Sequence, residues 1–140
     1  MRYRSRVKWM DTDYARVAHY QRFLDWVDDG FQAWCNARSI FFKEEVDQGI
    51  GSPFVDVRIE YQRPITLEDE IVVTMILKDV SARGFTLTFS ISKADGVIVA
   101  QGYQKRRFVS QRDLKGSDAK SDVLSILTEM QNEEADAEIG

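Results

Sequence analysis

The sequence predicts an α+β domain in which an antiparallel sheet of about five strands wraps around one long central helix, with a short second helix near the C-terminus. Two features carry this prediction. Between Ala18 and Arg38 apolar residues recur at helical period, and from Val55 onward three runs alternate apolar and polar residues at period two. Their order is strand, helix, then successive antiparallel strands. The sheet must therefore curl over the helix for both to bury an apolar face.

Tyr3, Val7 and Trp9 predict the first strand through their aromatic and β-branched character. In the helix the apolar stripe is Tyr20, Phe23, Leu24, Val27, Phe31, Trp34 and Cys35, with Asp25, Asp28, Asp29, Gln32 and Asn36 between. Gly30 costs such a helix about 1 kcal/mol relative to alanine, so its place implies close approach of another element. Trp26 falls off the stripe and is expected to face the sheet or an interface. A polar, partly helical connection from Ser39 to Gly51 precedes the alternating strands. In these, Val55, Val57, Ile59 and Tyr61 form one inward set, Ile71, Val73, Met75 and Leu77 a second, and Phe85, Leu87, Phe89 and Ile91 a third.

Ser81-Ala82-Arg83-Gly84 and Ala94-Asp95-Gly96 read as the connecting turns, Asp-Gly accepting the positive φ that a tight hairpin requires. Val97, Val99 and Phe108 belong to a last long strand, with a bulge expected near Gly102. Ser117-Asp118-Ala119-Lys120 is placed to cap a helix ending near Met130, whose apolar residues are Val123, Leu124, Ile126 and Leu127. Residues 1–130 are thus expected to form a single domain, and the acidic tail 131–140 to be disordered.

A chain of 140 residues with 44% hydrophobic content can bury a core without staples. Cys35 is the sole cysteine, which excludes an intramolecular disulfide, and its place on the apolar stripe predicts a buried thiol. No apolar run approaches the roughly twenty residues of a membrane span, and Met1 to Arg6 lacks the apolar stretch of a signal peptide. A soluble, cytoplasmic chain is expected. The net charge of −4 argues against a nucleic-acid partner. Basic residues still cluster at Lys105-Arg106-Arg107 and along Arg2, Arg4, Arg6 and Lys8, as solvated strand faces or as a site for phosphates. One histidine and one cysteine cannot supply a typical zinc set, and the acids lack calcium-loop spacing, so no metal site is predicted.

Chemistry is concentrated between the first strand and the long helix. Asp11-Thr12-Asp13-Tyr14-Ala15-Arg16-Val17-Ala18-His19-Tyr20 holds two carboxylates and the only histidine of the chain. A helix start presents unpaired N–H groups and the positive end of the macrodipole. A carbonyl placed there is polarised while a nearby carboxylate attacks or activates water, which suits acyl transfer. An aspartate here could equally serve as a helix cap or brace the loop.

This stretch resembles the opening of the 4-hydroxybenzoyl-CoA thioesterase family of hot-dog-fold acyl-CoA thioesterases. Asp11-Thr12-Asp13, Val17-Ala18, His19-Tyr20 and Phe23-Leu24 fall in register with its pattern. A second block, Tyr61-Gln62-Arg63-Pro64-Ile65 followed by Glu68-Asp69-Glu70-Ile71, is similar to the family's aromatic-x-Arg-Pro segment. Arg16 stands where the family commonly has glycine, and Arg22 where it commonly has asparagine.

The resemblance implies a hot-dog fold and hydrolysis of a small aromatic or short- to medium-chain acyl-CoA. No cofactor is implied beyond the coenzyme A of the substrate. Asp13 would be nucleophile or general base, the Tyr20 N–H an oxyanion donor, and His19 a positioning or proton-transfer group. Asp11 would brace the loop. On the substrate side, Arg16 would face a negatively charged ligand, Ser52 and Phe54 would line the acyl pocket, and Arg83 would meet coenzyme A phosphates. Arg63 would lie beside the substrate or pair with an acidic neighbour at the sheet end.

The family's open sheet edge implies a homodimer, or a tetramer built from it, with sites at the interface. Two other functions stay open. One is an acyl-thioester hydratase or dehydratase using Asp13 and His19, although the Asn-Pro of that motif is missing. The other is a noncatalytic acyl-CoA-binding module.

Overall fold

A computed structural model describes residues 1–139. The elements are β1 (Arg2–Arg6), α1 (Tyr20–Ala37), α2 (Phe42–Asp47), β2 (Ile50–Gly51), β3 (Phe54–Tyr61), β4 (Glu70–Ser81), β5 (Gly84–Lys93), β6 (Ile98–Arg107), β7 (Val109–Ser110) and α3 (Ser121–Gln131). Five strands form an antiparallel sheet in the order β1-β4-β5-β6-β3, and β2 pairs with β7 in a small second sheet. The α+β hot-dog arrangement expected from the sequence is present, with α1 on the concave face of the sheet.

The core lies between α1 and the inner faces of β4, β5 and β6. Phe23, Val27, Phe31 and Trp34 of α1 are buried with Ile71, Val73, Met75, Leu77, Leu87 and Ile91. Trp26 is also buried, packed against Phe23 at 5.3 Å between ring centres. Gly30 lets α1 approach β1 and β4 closely, since a Cβ there would lie 3.1 Å from Tyr3 Cβ and 3.2 Å from Met75 Cε. Cys35 is buried, and desolvation pushes its thiol up to about 12, which makes it an inert packing group. No helix among the described residues is long and apolar enough to cross a membrane.

Five local expectations are corrected. The first strand stops at Arg6, so Trp9 sits in a 3-10 turn with its indole exposed. The alternating set of β3 is largely solvent-exposed, because β3 is an edge strand whose inner face runs past the cover of α1. No bulge occurs at Gly102, which pairs in register with Ile59 and Phe89. A Cβ at Gly102 would overlap the Arg58 carbonyl, so the glycine permits close strand approach. Helix α3 begins after Lys120, and neither Ser117 nor Asp118 caps it.

The tail is the fifth correction. Residues 131–139 turn back along β1, where the Arg2 N–H donates to Ala137 O (2.7 Å) and the Ile139 N–H to Arg2 O (3.2 Å). Glu133 receives both Arg38 Nε (2.6 Å) and Arg38 Nη2 (2.7 Å). An acidic composition does not prevent order where two of the carboxylates, Glu133 and Glu138, meet arginines and the backbone finds a strand edge. Gly140 lies outside the described residues.

Candidate active site

The loop from Asp11 to His19 is built by its own hydrogen bonds. Thr12 and Ala18 form an antiparallel bridge, the His19 N–H donates to Asp11 O (2.9 Å), and the Asp13 N–H donates to Val17 O (3.1 Å). Asp13 Oδ1 accepts from the N–H groups of Ala15 (2.8 Å) and Val17 (3.4 Å), closing an Asx turn. Its other oxygen, Oδ2, accepts no hydrogen bond among the described residues. Asp13 is thus both loop brace and available carboxylate. Arg16 takes φ of 62° in this turn, so the left-handed conformation that glycine would adopt freely is kept by an arginine.

Asp11 is buried and its Oδ2 accepts the Lys8 N–H at 2.8 Å, the bracing role expected of it. Arg22 Nε lies 3.9 Å from Asp11 Oδ1 and its Nη1 donates to Asp25 Oδ2 at 3.2 Å, tying the loop to the first turn of α1. His19 is the residue before α1, exposed and without a side-chain cap bond. The Tyr20 N–H opens the helix with no acceptor among the described residues. It is a polarised donor at the positive end of the helix.

The two sequence blocks meet at this point. Ala18 N–H donates to Ile65 O (2.9 Å) and Leu67 N–H to Arg16 O (3.1 Å), while Val17 bridges Thr66. Tyr61 Oη donates to Tyr20 O at 2.8 Å, and its ring stands edge-on to Phe23. Tyr20, Phe23, Tyr61, Arg63 and Pro64 line an open groove of about 300 Å³ beside the helix start. Arg63 forms no ion pair among the described residues, contrary to the pairing considered for it.

The other candidates lie elsewhere. Ser52 borders a small apolar cavity of about 70 Å³ with Phe31, Phe42 and Phe85. Arg83, in the β4–β5 turn, shares a polar cavity of about 310 Å³ with Arg107, Ser117 and Asp118. Phe54 does not line the cavity that holds Ser52; its ring lies under the guanidinium of Arg106 at 4.3 Å. This contact reveals a cluster missing from the expected set. Arg106 points inward from β6 onto Phe31 and Phe42 as well, and Arg106 Nη2 approaches Asp28 Oδ1 at 3.8 Å. Gln104 Nε2 donates to the same oxygen at 3.2 Å. Burial lowers the Arg106 guanidinium and raises Asp28, outweighing the hydrogen bond and charge that favour the carboxylate. Period two could have signalled it, since Gln104 and Arg106 share the face of Ala100.

A hot-dog sheet with a carboxylate loop feeding the start of its central helix is an arrangement compatible with a thioester hydrolase, and the relatives carry that name. The chain belongs to the thioesterase-like superfamily, whose pattern matches residues 7–127. A 1,4-dihydroxy-2-naphthoyl-CoA hydrolase of Nostoc punctiforme is 23% identical over 97 residues, spanning 69% of this chain and 66% of its own length. Among solved structures, a 1,4-dihydroxy-2-naphthoyl-CoA thioesterase from Synechocystis superposes with a TM-score of 0.87 at 19% identity, covering 94% of this chain and 98% of that one. A gentisyl-coenzyme A thioesterase superposes with a TM-score of 0.79 at 23% identity, covering 91% and 99%.

Proposed function

We propose that this protein hydrolyses acyl-CoA thioesters in the manner of the 4-hydroxybenzoyl-CoA thioesterases, with an aromatic acyl group as its preferred cargo. One observation carries the reading: a loop held by one oxygen of Asp13 leaves the other oxygen available, and the same loop delivers the unpartnered Tyr20 N–H. The thioester oxygen would accept from that N–H at the positive end of α1. Asp13 Oδ2 would then add to the carbonyl carbon and expel the coenzyme A thiolate, leaving a mixed anhydride for water to cleave. Alternatively it would take the proton of an attacking water. His19, beside Tyr20, would position the substrate.

The aromatic preference is supported by Tyr20, Phe23 and Tyr61 at the groove and by the dihydroxynaphthoyl and gentisyl groups in the relatives' names. Arg83 with Arg107 would hold coenzyme A phosphates, Arg16 and Arg63 would flank the groove, and Ser52 and Phe54 would shape the acyl end. The reaction requires no cofactor. A homodimer, and a tetramer formed from it, would join chains through the open β3 edge.

The test is release of thiol from aromatic and aliphatic acyl-CoAs by the native protein and by Asp13→Asn. That substitution keeps an Asx-turn acceptor and removes the charge, so turnover should fall about a thousandfold with the fold intact. Unchanged turnover in Asp13→Asn would remove Asp13 from the chemistry. No release from any substrate would remove the hydrolase reading itself.

A further inference from the structure

The cluster under α1 carries two buried polar atoms, Arg106 Nε and Gln104 Oε1, that find no hydrogen-bond partner among the described residues. A buried polar atom left without a partner is destabilising, and an apolar side chain at either position would avoid that cost. One atom is a donor and the other an acceptor. Other atoms of the same two side chains, Arg106 Nη2 and Gln104 Nε2, approach a single oxygen, Asp28 Oδ1, at 3.8 and 3.2 Å, so both orphaned groups belong to one cluster. Phe31, Phe42 and Phe54 pack around the guanidinium, excluding water and strengthening any charge-assisted bond made there.

The cluster opens to solvent at its rim. Gln104 is 1% exposed, but the Asp28 side chain is 43% exposed and Phe54 also 43%, so the approach runs past Phe54 along the open inner face of β3. Asp28 lies on the helix that begins at Tyr20, about 12 Å further along its axis. A ligand whose carbonyl sits at the helix start would meet this cluster with the far end of its acyl group.

We propose that Arg106 and Gln104, beside Asp28, form a specificity-determining site that reads a polar oxygen on the distal part of an aromatic acyl group. The oxygen accepts from Arg106 Nε, and a hydroxyl also donates to Gln104 Oε1, while the ring lies against Phe54. The assignment rests on the acyl-CoA reading above, and its test separates the two. Non-hydrolysable thioether analogues, phenacyl- and naphthacyl-CoA with and without a ring hydroxyl, are titrated calorimetrically into the native protein and Arg106→Met.

The hydroxylated member of at least one pair should bind about tenfold more tightly to the native protein. Arg106→Met should abolish that preference and leave the unsubstituted analogue within about twofold. Equal binding of both members in both pairs, or uniform weakening of all ligands in the variant, would overturn the assignment. Gln104→Met, judged by the same criterion, replaces Arg106→Met if the latter does not fold. Preference without thiol release in the hydrolysis assay would keep this site and sink the hydrolase; release without preference would do the reverse.

Discussion

The two edges of the sheet are finished in opposite ways. At the β1 edge, tail residues 135–139 lie alongside the strand, with Arg2 hydrogen-bonded on both its N–H and its carbonyl to Ala137 and Ile139. Arg4 adds an ion pair to Glu138 at 2.8 Å. At the other edge β3 pairs only with β6, and its apolar residues stand in solvent, Val55 being 60% exposed. An unpaired edge with an apolar face is a template for another strand, and proteins usually blunt it. Here one edge is closed within the chain and the other is left open beside the groove that holds Tyr20. The difference teaches where self-sufficiency ends: the β1 side is closed by the chain's own tail, and the β3 side keeps an unpaired edge with exposed apolar residues.

The comparison breaks most visibly at Glu133, which anchors the tail. Its carboxylate accepts both Arg38 nitrogens and Trp34 Nε1 (3.1 Å), and Trp34 is among the most buried side chains. Glu133→Ala strands a buried indole N–H and a guanidinium together, so urea unfolding should show a loss of about 2–3 kcal/mol. A loss below about 0.5 kcal/mol would mean the tail contributes little to closing this side.

Val57→Lys addresses the open edge. Because Val57 is exposed on an edge strand, the unfolding free energy of a single chain should move by less than about 0.5 kcal/mol. Association measured by sedimentation equilibrium should nevertheless weaken at least about tenfold, since a lysine on each copy would be desolvated or set against its mate. Unaltered association would place any assembly on another face.

Much of this contrast was beyond the reach of pattern alone. Periodicity located α1 and three of the four long strands, because burial on one face leaves a regular imprint, and the turn at Gly96 (φ 90°) followed from Asp-Gly. The alternation of β3 resembles that of β5 because period two reports a face, not whether another element covers it. The tail was misjudged for a related reason: composition counts charges without their partners, and Arg4, Arg38 and Glu133 are distant in sequence. The helix-start loop was legible through its crowding, and the resemblance named Asp13, but nothing local signalled that Arg16 would hold the left-handed turn. Arg106 was read as part of a basic surface run when alternate residues of that run point inward.

The smallest effect sharpens the closed edge. Arg4 donates to Glu138 and holds its carboxyl below the ordinary value of 4.5. A carboxylate with a depressed folded pKa contributes stability above the unfolded value and loses it as pH falls through the folded one. The tail contact should therefore weaken only below pH 4.5, and only slightly, because both partners are exposed and screened by salt. Hydrogen-exchange protection of the Arg2 and Ile139 amides should decline over that window in the native protein and stay flat in Glu138→Gln. The Gln62 amide, which donates to Val99 O at the β3 side, should not respond in either. An equal decline in Glu138→Gln would show that acid acts on the tail through other carboxylates, and the Arg4 pair would then have no separate part in closing the edge.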